Sequence, residues 1–485
     1  MRPILRFLSD ALAQRIASEA IDVLCTLGVE VHNPEALSLL ADHGARVDAP
    51  RHRAVLTREI IEKALRSAPG SFSLYDVQGH QTHRFSGHAV CFAPGSTALH
   101  VLDCRTGKIR KPLTKDYVDY AKVASGLGHI ALQSTAMIPA DVPAGISDSY
   151  RLLLSLLYCE KPVVTGAFSI ESFEVMKDLQ IAVRGTEKAL QEKPLAVFTC
   201  CPTSPLRWEQ VGSQNLIDCA RWSIPVEVVA MPLCGFTAPV TLAGTLVQHA
   251  AETLSGVVIA QLVNPGTPVL YGGSSAVFDV RHETTPMGAI ETMMIACAAN
   301  EVGKHLGLPT QAYVSLSDSK RLDAQAGMES GMGAVLAALA GINLISGPGM
   351  LDFESCQSLE KLVLDNELCG MALRLIGGIE PKEDFPALGI LRELLAEGHL
   401  LIADHTRRYL KEELLFPGPA IDRSHRARWE REGSPTLDQR AQGQVERLLE
   451  TYRPSTLAAE TKRAMVERME HEARRYGQER LPVAE

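Results

Sequence analysis

The chain has 485 residues, of which 46% are hydrophobic and 5% aromatic, and its formal net charge is −9. This length and apolar content allow one large barrel with extensions or several domains. The negative charge argues against nucleic acid as the main partner. The 11 cysteines show no regular spacing, which is typical of reduced thiols in a cytoplasm.

Neither a secretory leader nor a membrane span is predicted. The first apolar residues are followed too closely by Asp10, Gln14 and Arg15 for a signal peptide, and no apolar run is expected to cross a bilayer. Cys-x-x-Cys pairs, a dinucleotide-binding glycine fingerprint and a P-loop are absent from the sequence. We therefore expect a cytoplasmic protein.

Residues 1–86 are predicted to form a separate helical and β cap. Helical periodicity runs through Leu8–Leu27, Pro34–His43 and Thr57–Ser67. A β-like segment follows, which contains His80, His83 and nearby His88. These histidines could bind a metal, but a solvated loop is the favoured interpretation.

Residues 87–380 alternate short β-rich runs with helical runs, at a repeat of roughly 30 to 43 residues that suits a βα unit. The predicted strands are Ala89–Phe92, Ile130–Thr135, Pro162–Gly166, Leu195–Thr199, Pro225–Ala230, Pro268–Tyr271, Gln311–Ser315 and Ile342–Ser346. Eight such units predict an α/β fold of the (β/α)8 TIM-barrel type. A doubly wound open sheet is the alternative, although it usually has fewer strands.

Residues 381–485 are predicted to form a C-terminal helical extension. It ends in a charged helix from about Thr436 to Gln478. This helix could make a homo-oligomer contact or simply cover the barrel, and the sequence leaves both readings open.

The C-terminal strand ends, where barrels place their active sites, are rich in Gly, Ser, Thr and aromatic residues and poor in charge. Aromatic rings in such a pocket suit a quaternary ammonium ion, which is held by cation–π attraction, although any single ring is more often ordinary core. The Gly347-Pro348-Gly349 turn is a weak phosphate site because proline lacks an amide donor. The candidate substrate-binding residues are Phe92, Gly95, Ser96, Phe168, Tyr271, Gly272, Arg281, His282, Tyr313 and Phe353.

Charged residues cluster after the seventh predicted strand. Asp318, Lys320, Asp323, Gln325 and Glu329 lie where that strand gives way to a helix. The simplest interpretation is a capped helix N-terminus. The lysine could instead form a Schiff base in a lyase or aldolase, but its acidic neighbours favour an ion pair.

Several motifs resemble those of the trimethylamine methyltransferase superfamily. They are the Asp318–Glu329 segment, Gly347–Leu351 followed by Leu364–Glu367, Phe92–Ser96 and Asp404–Arg408. The resemblance implies a TIM barrel that moves a methyl group from an amine to the Co(I) of a separate corrinoid protein. Because the chain has no pyrrolysine, it is most similar to the branch that demethylates quaternary amines such as glycine betaine.

The resemblance also implies separate roles for this chain and the corrinoid protein. The cobalamin would be carried by the corrinoid protein, and this chain would hold no tightly bound cofactor and no metal. A quaternary nitrogen leaves as a neutral amine, so the barrel would mainly orient the substrate and exclude water, and no catalytic residue is assigned. By position alone, Arg281, His282 or His405 could bind a substrate carboxylate, and so could the hydroxyls or amides at 95–96 and 272–273. The Asp318–Glu329 charges would line the docking rim. A barrel that binds a betaine without catalysis is the non-enzyme alternative.

Overall fold

The computed structural model describes residues 2–482. Eight parallel strands, one for each predicted βα unit, form the centre of the molecule. They are β1 (Cys91–Ala93), β2 (Gln133–Ser134), β3 (Val163–Thr165), β4 (Ala196–Cys200), β5 (Val226–Ala230), β6 (Val269–Gly273), β7 (Gln311–Tyr313) and β8 (Leu344–Ser346).

The strands close into a barrel in chain order. Strands β2 to β6 form one parallel ladder and β7, β8 and β1 form another. A bridge from Tyr271 to Thr310 joins β6 to β7, and the amides of Ala131 and Thr97 bond across β1 and β2, to Phe92 and Thr135 respectively. The (β/α)8 prediction is confirmed, and the open-sheet alternative is wrong.

One long helix follows each strand and packs on the barrel wall. The helices are α1 (Thr114–Ser125), α2 (Ser147–Tyr158), α3 (Ile170–Arg184), α4 (Gln210–Arg221), α5 (Leu242–Val263), α6 (Ile290–His305), α7 (Ala324–Ala340) and α8 (Leu359–Ile376). A short helix, Glu187–Glu192, follows α3. Ser169, Asp323 and Ser358 each accept a hydrogen bond from a first-turn amide, so their side chains cap α3, α7 and α8.

Helix α5 corrects the expectation that no run is long and apolar enough for a membrane span. By length and composition it passes that test, but 78% of the apolar window is buried within the protein. Its faces contact the barrel and the N-terminal helices, so a fully surrounded core helix accounts for its composition.

The barrel is closed at the end where the strands begin. Inward-facing Leu132, Val164 and Val197 pack with Leu74 and Phe85, which belong to a hairpin of strands Phe72–Tyr75 and Gln81–Phe85. This hairpin seals the N-terminal end with apolar side chains. Among residues 2–482, the open end of the barrel is therefore at the C-terminal strand ends, which we call the mouth.

The N-terminal segment packs on the outer wall and shares one apolar core with the barrel. Its helices are Asp10–Thr26, Pro34–Asp42 and Arg58–Ser67, and its strands Val29–Val31, Arg46–Asp48 and Arg53–Val55 form a sheet with Arg207–Trp208. A 3-10 turn, Ala49–Arg51, joins two of these strands. Within residues 2–482 no cluster of three His, Cys, Asp or Glu side chains could hold a metal, so the three histidines form no such site.

Short strands lie in the loops at the mouth. His100–Asp103, Lys108–Arg110, Met350–Leu351 and Cys356–Gln357 form one sheet, and Leu233–Cys234 pairs with Ala276–Val277. A 3-10 turn, Ala144–Ile146, precedes α2.

The C-terminal segment contains helices Leu388–Glu397, Asp404–Glu413, Arg426–Arg431, Leu437–Glu450 and Ala459–Arg475. The single charged helix predicted here is wrong, because the segment between residues 450 and 459 is not helical. Pro454 lies in that break, and proline cannot donate the amide bond that a continuous helix requires. Helix Leu437–Glu450 packs on α8 and α1, and helix Ala459–Arg475 packs on α3 and α2.

Candidate active site

A cavity of about 470 Å³ opens at the mouth of the barrel. Its lining comes from β7 and from the ends of β1, β3, β4, β5, β6 and β8. Cavities of about 550 and 990 Å³ lie outside the barrel, beside the C-terminal segment and the N-terminal sheet. Because barrel chemistry belongs at the strand ends, the cavity at the mouth is the candidate active site.

Glu227 is a charged group that lies behind the cavity wall, in contact with the lining residue Thr199. It lies on β5 and is fully buried, with its neighbour in register, Thr199 on β4, donating a 2.6 Å hydrogen bond to Oε1. Among residues 2–482 its second oxygen, Oε2, has no hydrogen-bond partner with bonding geometry. Burial raises the pKa of Glu227 to about 7, and the hydrogen bond from Thr199 and the nearby Tyr313 hydroxyl only partly oppose this rise.

Glu354 lines the same cavity from the loop after β8. Asp352, Phe353 and Glu354 all have left-handed backbone angles, with φ of 51°, 55° and 71°. Such angles are strained for residues other than glycine and tend to occur at functional sites. Removal from water raises the pKa of Glu354 to about 8, the negative charge of Glu227 adds to the rise, and a hydrogen bond from the Ser96 amide opposes it.

Tyr313 connects these acids to the opposite wall. Its hydroxyl is 3.1 Å from Oγ of Ser96 and is near enough to Glu227 to oppose the rise in the pKa of that acid. Burial, and then the charges of Glu227 and Glu354, hold the pKa of Tyr313 well above its usual value. The phenol therefore keeps its proton, and two hydrogen-bonded pairs, Ser96 with Tyr313 and Thr199 with Glu227, lie side by side at the cavity wall.

The wall also contains apolar and aromatic surface. Phe168 is half-exposed, and the guanidinium of the buried Arg151 lies 4.7 Å from its ring centre. Arg151 is held in turn by Asp148 and by the carbonyl oxygen of Thr135. The cavity thus combines the Glu354 carboxyl group and an aromatic face in its lining with the buried Glu227 carboxyl group behind Thr199, which is the chemistry that suits a small organic cation.

Comparison with known proteins identifies the family. The family model described as trimethylamine methyltransferase (MTTB) matches residues 1–477. The chain belongs to this family.

Individual relatives are similar over almost their whole length. The chain is 30% identical to a trimethylamine methyltransferase of Desulfitobacterium hafniense (strain DSM 10664 / DCB-2), over 96% of this chain and 94% of the relative. It is 31% identical to a glycine betaine methyltransferase of D. hafniense (strain Y51), over 94% and 95%. The crystal structure of the monomethylamine methyltransferase of Methanosarcina barkeri shares the fold, with a TM-score of 0.52, 11% identity and coverage of 90% and 86%.

Three of the residues predicted from the sequence to bind substrate line the cavity, namely Ser96, Phe168 and Tyr313. Gly95 precedes Ser96 and is packed tightly under Met350. Phe353 precedes Glu354, and its ring lies beneath the ammonium group of Lys320, at 4.0 Å from Nζ to the ring centre.

Other predicted residues lie away from the cavity. Phe92 and Tyr271 are buried in the apolar layer between strands and helices, because alternate residues of a strand point to opposite faces. The hydroxyl of Tyr271 faces His249 of α5 at 3.3 Å. Gly272 is covered by Gln311 and the β5 backbone.

Arg281 and His282 also lie away from the cavity. They are exposed on the loop after β6, where both contact Asp279. His405 belongs to the C-terminal segment and faces Asp384 at 3.8 Å. None of the three lines the cavity, so their predicted contact with a substrate carboxylate has no support in the position of these side chains.

The charged motif after β7 is mainly a scaffold for the mouth. The Asp318 carboxylate accepts bonds from the amides of Met287 and Gly288, which precede α6. Burial raises the pKa of Asp318 to about 6, against the effect of these two bonds. The two amides fix the loop after β6 against the loop after β7.

The rest of the motif holds its own loop and helix. Glu329 accepts bonds from Ser317, the Asp318 amide and Gln325, and Asp323 caps α7. Nζ of Lys320 donates to the Asp318 carbonyl oxygen at 2.7 Å and lies 3.6 Å from Asp352. The lysine is half-exposed and does not line the cavity, so its position gives the Schiff-base alternative no support.

Sequence reasoning missed the two carboxyl groups and described the mouth as poor in charge. A signal for Glu227 was present, because it is the lone acidic residue of the apolar strand Val226–Ala230. Glu354 gave no comparable signal, since its position depends on the left-handed turn at residues 352–354.

Proposed function

We propose that this protein binds a methylated, positively charged amine in the barrel cavity and presents one methyl group to a corrinoid protein docked over the mouth. The observation that carries the proposal is a pair of acids of raised pKa at one cavity, with Glu354 in its lining and the buried Glu227 behind its wall. Membership of a methyltransferase family supplies the reaction class.

The cavity suits a quaternary amine such as glycine betaine, or a tertiary amine. Its volume of about 470 Å³ lies within the usual range for small-molecule sites. A quaternary nitrogen offers no hydrogen bond, so it depends on carboxylate charge and on aromatic faces such as Phe168 and Tyr313. The names of the relatives, which include trimethylamine and glycine betaine methyltransferases, favour the same substrate class.

The raised pKa values of the acids matter for reactivity. Two fully ionised carboxylates would stabilise the substrate cation more than the transition state, in which the positive charge on nitrogen is already falling. The raised pKa values keep Glu227 and Glu354 partly protonated near neutral pH, which reduces this penalty. A quaternary amine leaves as a neutral tertiary amine, so the methyl transfer itself requires no proton from either acid.

A separate surface suits the partner. The mouth patch consists of Met231, Phe236, Val240, Phe278 and Val280, on the loops after β5 and β6. The rings of Phe236 and Phe278 stack at 4.7 Å, and Val240 and Val280 are 76% and 74% exposed. An apolar patch around a cavity mouth is typical of a protein-docking site. The neighbouring charges of the Asp318–Glu329 motif remain candidates for its polar rim.

The corrinoid of the partner would supply the cobalt nucleophile that accepts the methyl group, and this chain would need no tightly bound cofactor. Its own residues hold the amine, point one methyl group outward and keep water from the inner end of the cavity. A cytoplasmic location is part of the proposal, because all 11 cysteines are free thiols.

The test is a methyl-transfer assay with free cob(I)alamin and a panel of betaines and methylamines. We expect formation of methylcobalamin and the demethylated amine with at least one substrate, and loss of at least tenfold in rate for Glu227→Gln. The matched control is Glu252→Gln, since Glu252 is equally buried but bonded to Ser204 and the Leu206 amide outside the cavity. Tight amine binding without transfer, to free or protein-bound corrinoid, would instead indicate a non-catalytic binding barrel.

A further inference from the structure

Residues 379–416 form a helical arm whose sequence and exposure do not suit a free surface. The arm contains two helices of ten residues, Leu388–Glu397 and Asp404–Glu413, and neither has a buried residue. Helices of this length are marginal in water unless an apolar face is packed against something. The arm as seen in one chain therefore lacks the contacts that would normally stabilise it.

Apolar side chains are concentrated on this arm. Of the 27 exposed large hydrophobic residues in the described chain, ten fall within these 38 residues. They are Ile379, Phe385, Leu388, Leu391, Leu395, Leu401, Ile402, Leu410, Leu414 and Phe416. Leu388, Leu391 and Leu395 follow helical spacing and form one stripe, and Leu395 is 84% exposed.

The exposed area is large enough for a stable interface. Ten side chains of this size and exposure present on the order of 1,000 Å² of mostly apolar surface, whereas the largest patch on a typical monomer is about 300–600 Å². A standard interface needs about 800 Å² from each partner. The arm alone can meet that requirement.

The position of the arm separates it from the proposed reaction. Helix α8 runs from the mouth to the closed end of the barrel, and the arm begins just after it. Arg374, in the last turn of α8, holds the arm through Glu413. A partner that must dock and leave at the mouth during turnover would not cover this distant surface.

We infer that the arm is the interface between two copies of this chain. A second copy of the chain is made wherever the first is made, so it is available to cover the arm permanently. Symmetric pairs of identical chains are also the commonest oligomers. The arm carries both signs of charge beside its leucine stripe, as at Arg392 and Glu393. Both signs on one surface allow a two-fold partner to match each charge with its opposite.

Analytical ultracentrifugation of the full chain tests this inference. We expect the wild-type protein at micromolar concentration to sediment with at least twice the chain mass of 52.6 kDa. The variant Leu391→Glu/Leu395→Glu should sediment as a monomer with an unchanged circular dichroism spectrum. The control Leu27→Glu alters a leucine that is 57% exposed in the N-terminal segment and should leave the oligomer intact.

Hydrogen exchange gives a second, independent test of the interface if the double variant precipitates. Amides of residues 388–397 should be protected in the wild-type protein and should lose protection on dilution. A wild-type monomer, an oligomer that survives the double substitution, or an arm protected only after the corrinoid protein is added would each overturn the inference. None of these results depends on whether the chain transfers a methyl group.

Discussion

Replacing Glu227 by Gln should stabilise the ligand-free protein at alkaline pH and weaken its binding of an organic cation. The substitution keeps the volume of the side chain and an acceptor for Thr199, and replaces the ionisable carboxyl group by a neutral amide. Burial raises the pKa of Glu227 from its ordinary 4.5 to about 7, so the folded protein holds this proton more tightly than the unfolded chain does. Stability therefore falls as the pH rises from about 4.5 to 7 and then levels off.

The magnitude follows from that difference in pKa. It corresponds to about 3 kcal/mol at pH 8 and to almost nothing below pH 4.5. A chain of 485 residues has an unfolding entropy of about 1 kcal/mol/K, so the gain should appear as a rise of about 3 °C in melting temperature at pH 8.

Binding should change in the opposite direction. A unit charge about 5 Å from a quaternary nitrogen contributes about 3 kcal/mol at an effective dielectric constant of 20, which is roughly a hundredfold in Kd. In the wild-type protein the affinity for tetramethylammonium or glycine betaine should rise as the pH passes through 7, because the carboxylate form binds the cation. Glu354, whose pKa is raised to about 8, should leave a residual pH dependence in the variant.

Differential scanning fluorimetry at pH 5 and pH 8, with calorimetric titration at both, measures the two effects. Glu252→Gln serves as the control, since burial also raises the pKa of Glu252 but this residue lies outside the cavity; its ligand Kd should not change. The reasoning would be refuted if Glu227→Gln melted no higher than wild type at pH 8 while its Kd for the cation also stayed the same.

Three further predictions concern the scaffold and the mouth. Lys361→Ala leaves the fully buried Asp365 without its cation and should lower the free energy of unfolding by about 3–5 kcal/mol in chemical denaturation. The control Arg374→Ala breaks a half-exposed pair with Glu413 and should lower it by under about 1 kcal/mol. Equal losses in the two variants would contradict this prediction. Gly347→Ala would place its Cβ against the Val314 carbonyl oxygen and should cost at least about 1 kcal/mol, measured by the same denaturation. Val280→Asp should raise the concentration of corrinoid protein needed for half-maximal rate at least tenfold and leave the amine Kd unchanged. A change confined to the amine Kd would argue against docking at the mouth patch.

The repeating pattern of the sequence was enough to predict the barrel. Each strand is a short apolar run, and each helix repeats its apolar residues at helical spacing. These local periodicities leave few ways to bury so much surface, and the eight predicted strands all occur. The prediction failed where a single residue interrupts the helical pattern, as Pro454 does in the C-terminal segment.

The site was only partly predictable, because strand parity and loop geometry decide which side chains meet. Ser96 and Phe168 were found by their place after strands and Tyr313 by its place at the end of one, whereas Tyr271 was placed on the wrong face of its strand. Glu354 could not be found, since its approach to the cavity depends on three successive left-handed residues.

The sequence by itself determined the family, the barrel and the position of the mouth, because these follow from local periodicity and from motifs along the chain. Only the tertiary structure decided that Glu354 and Tyr313 line one cavity with Glu227 behind its wall, since their pKa values and hydrogen bonds arise from burial against residues distant in sequence. The tertiary structure likewise revealed the uncovered leucine stripe of the arm, because exposure is a property of the packed chain and not of the stripe itself.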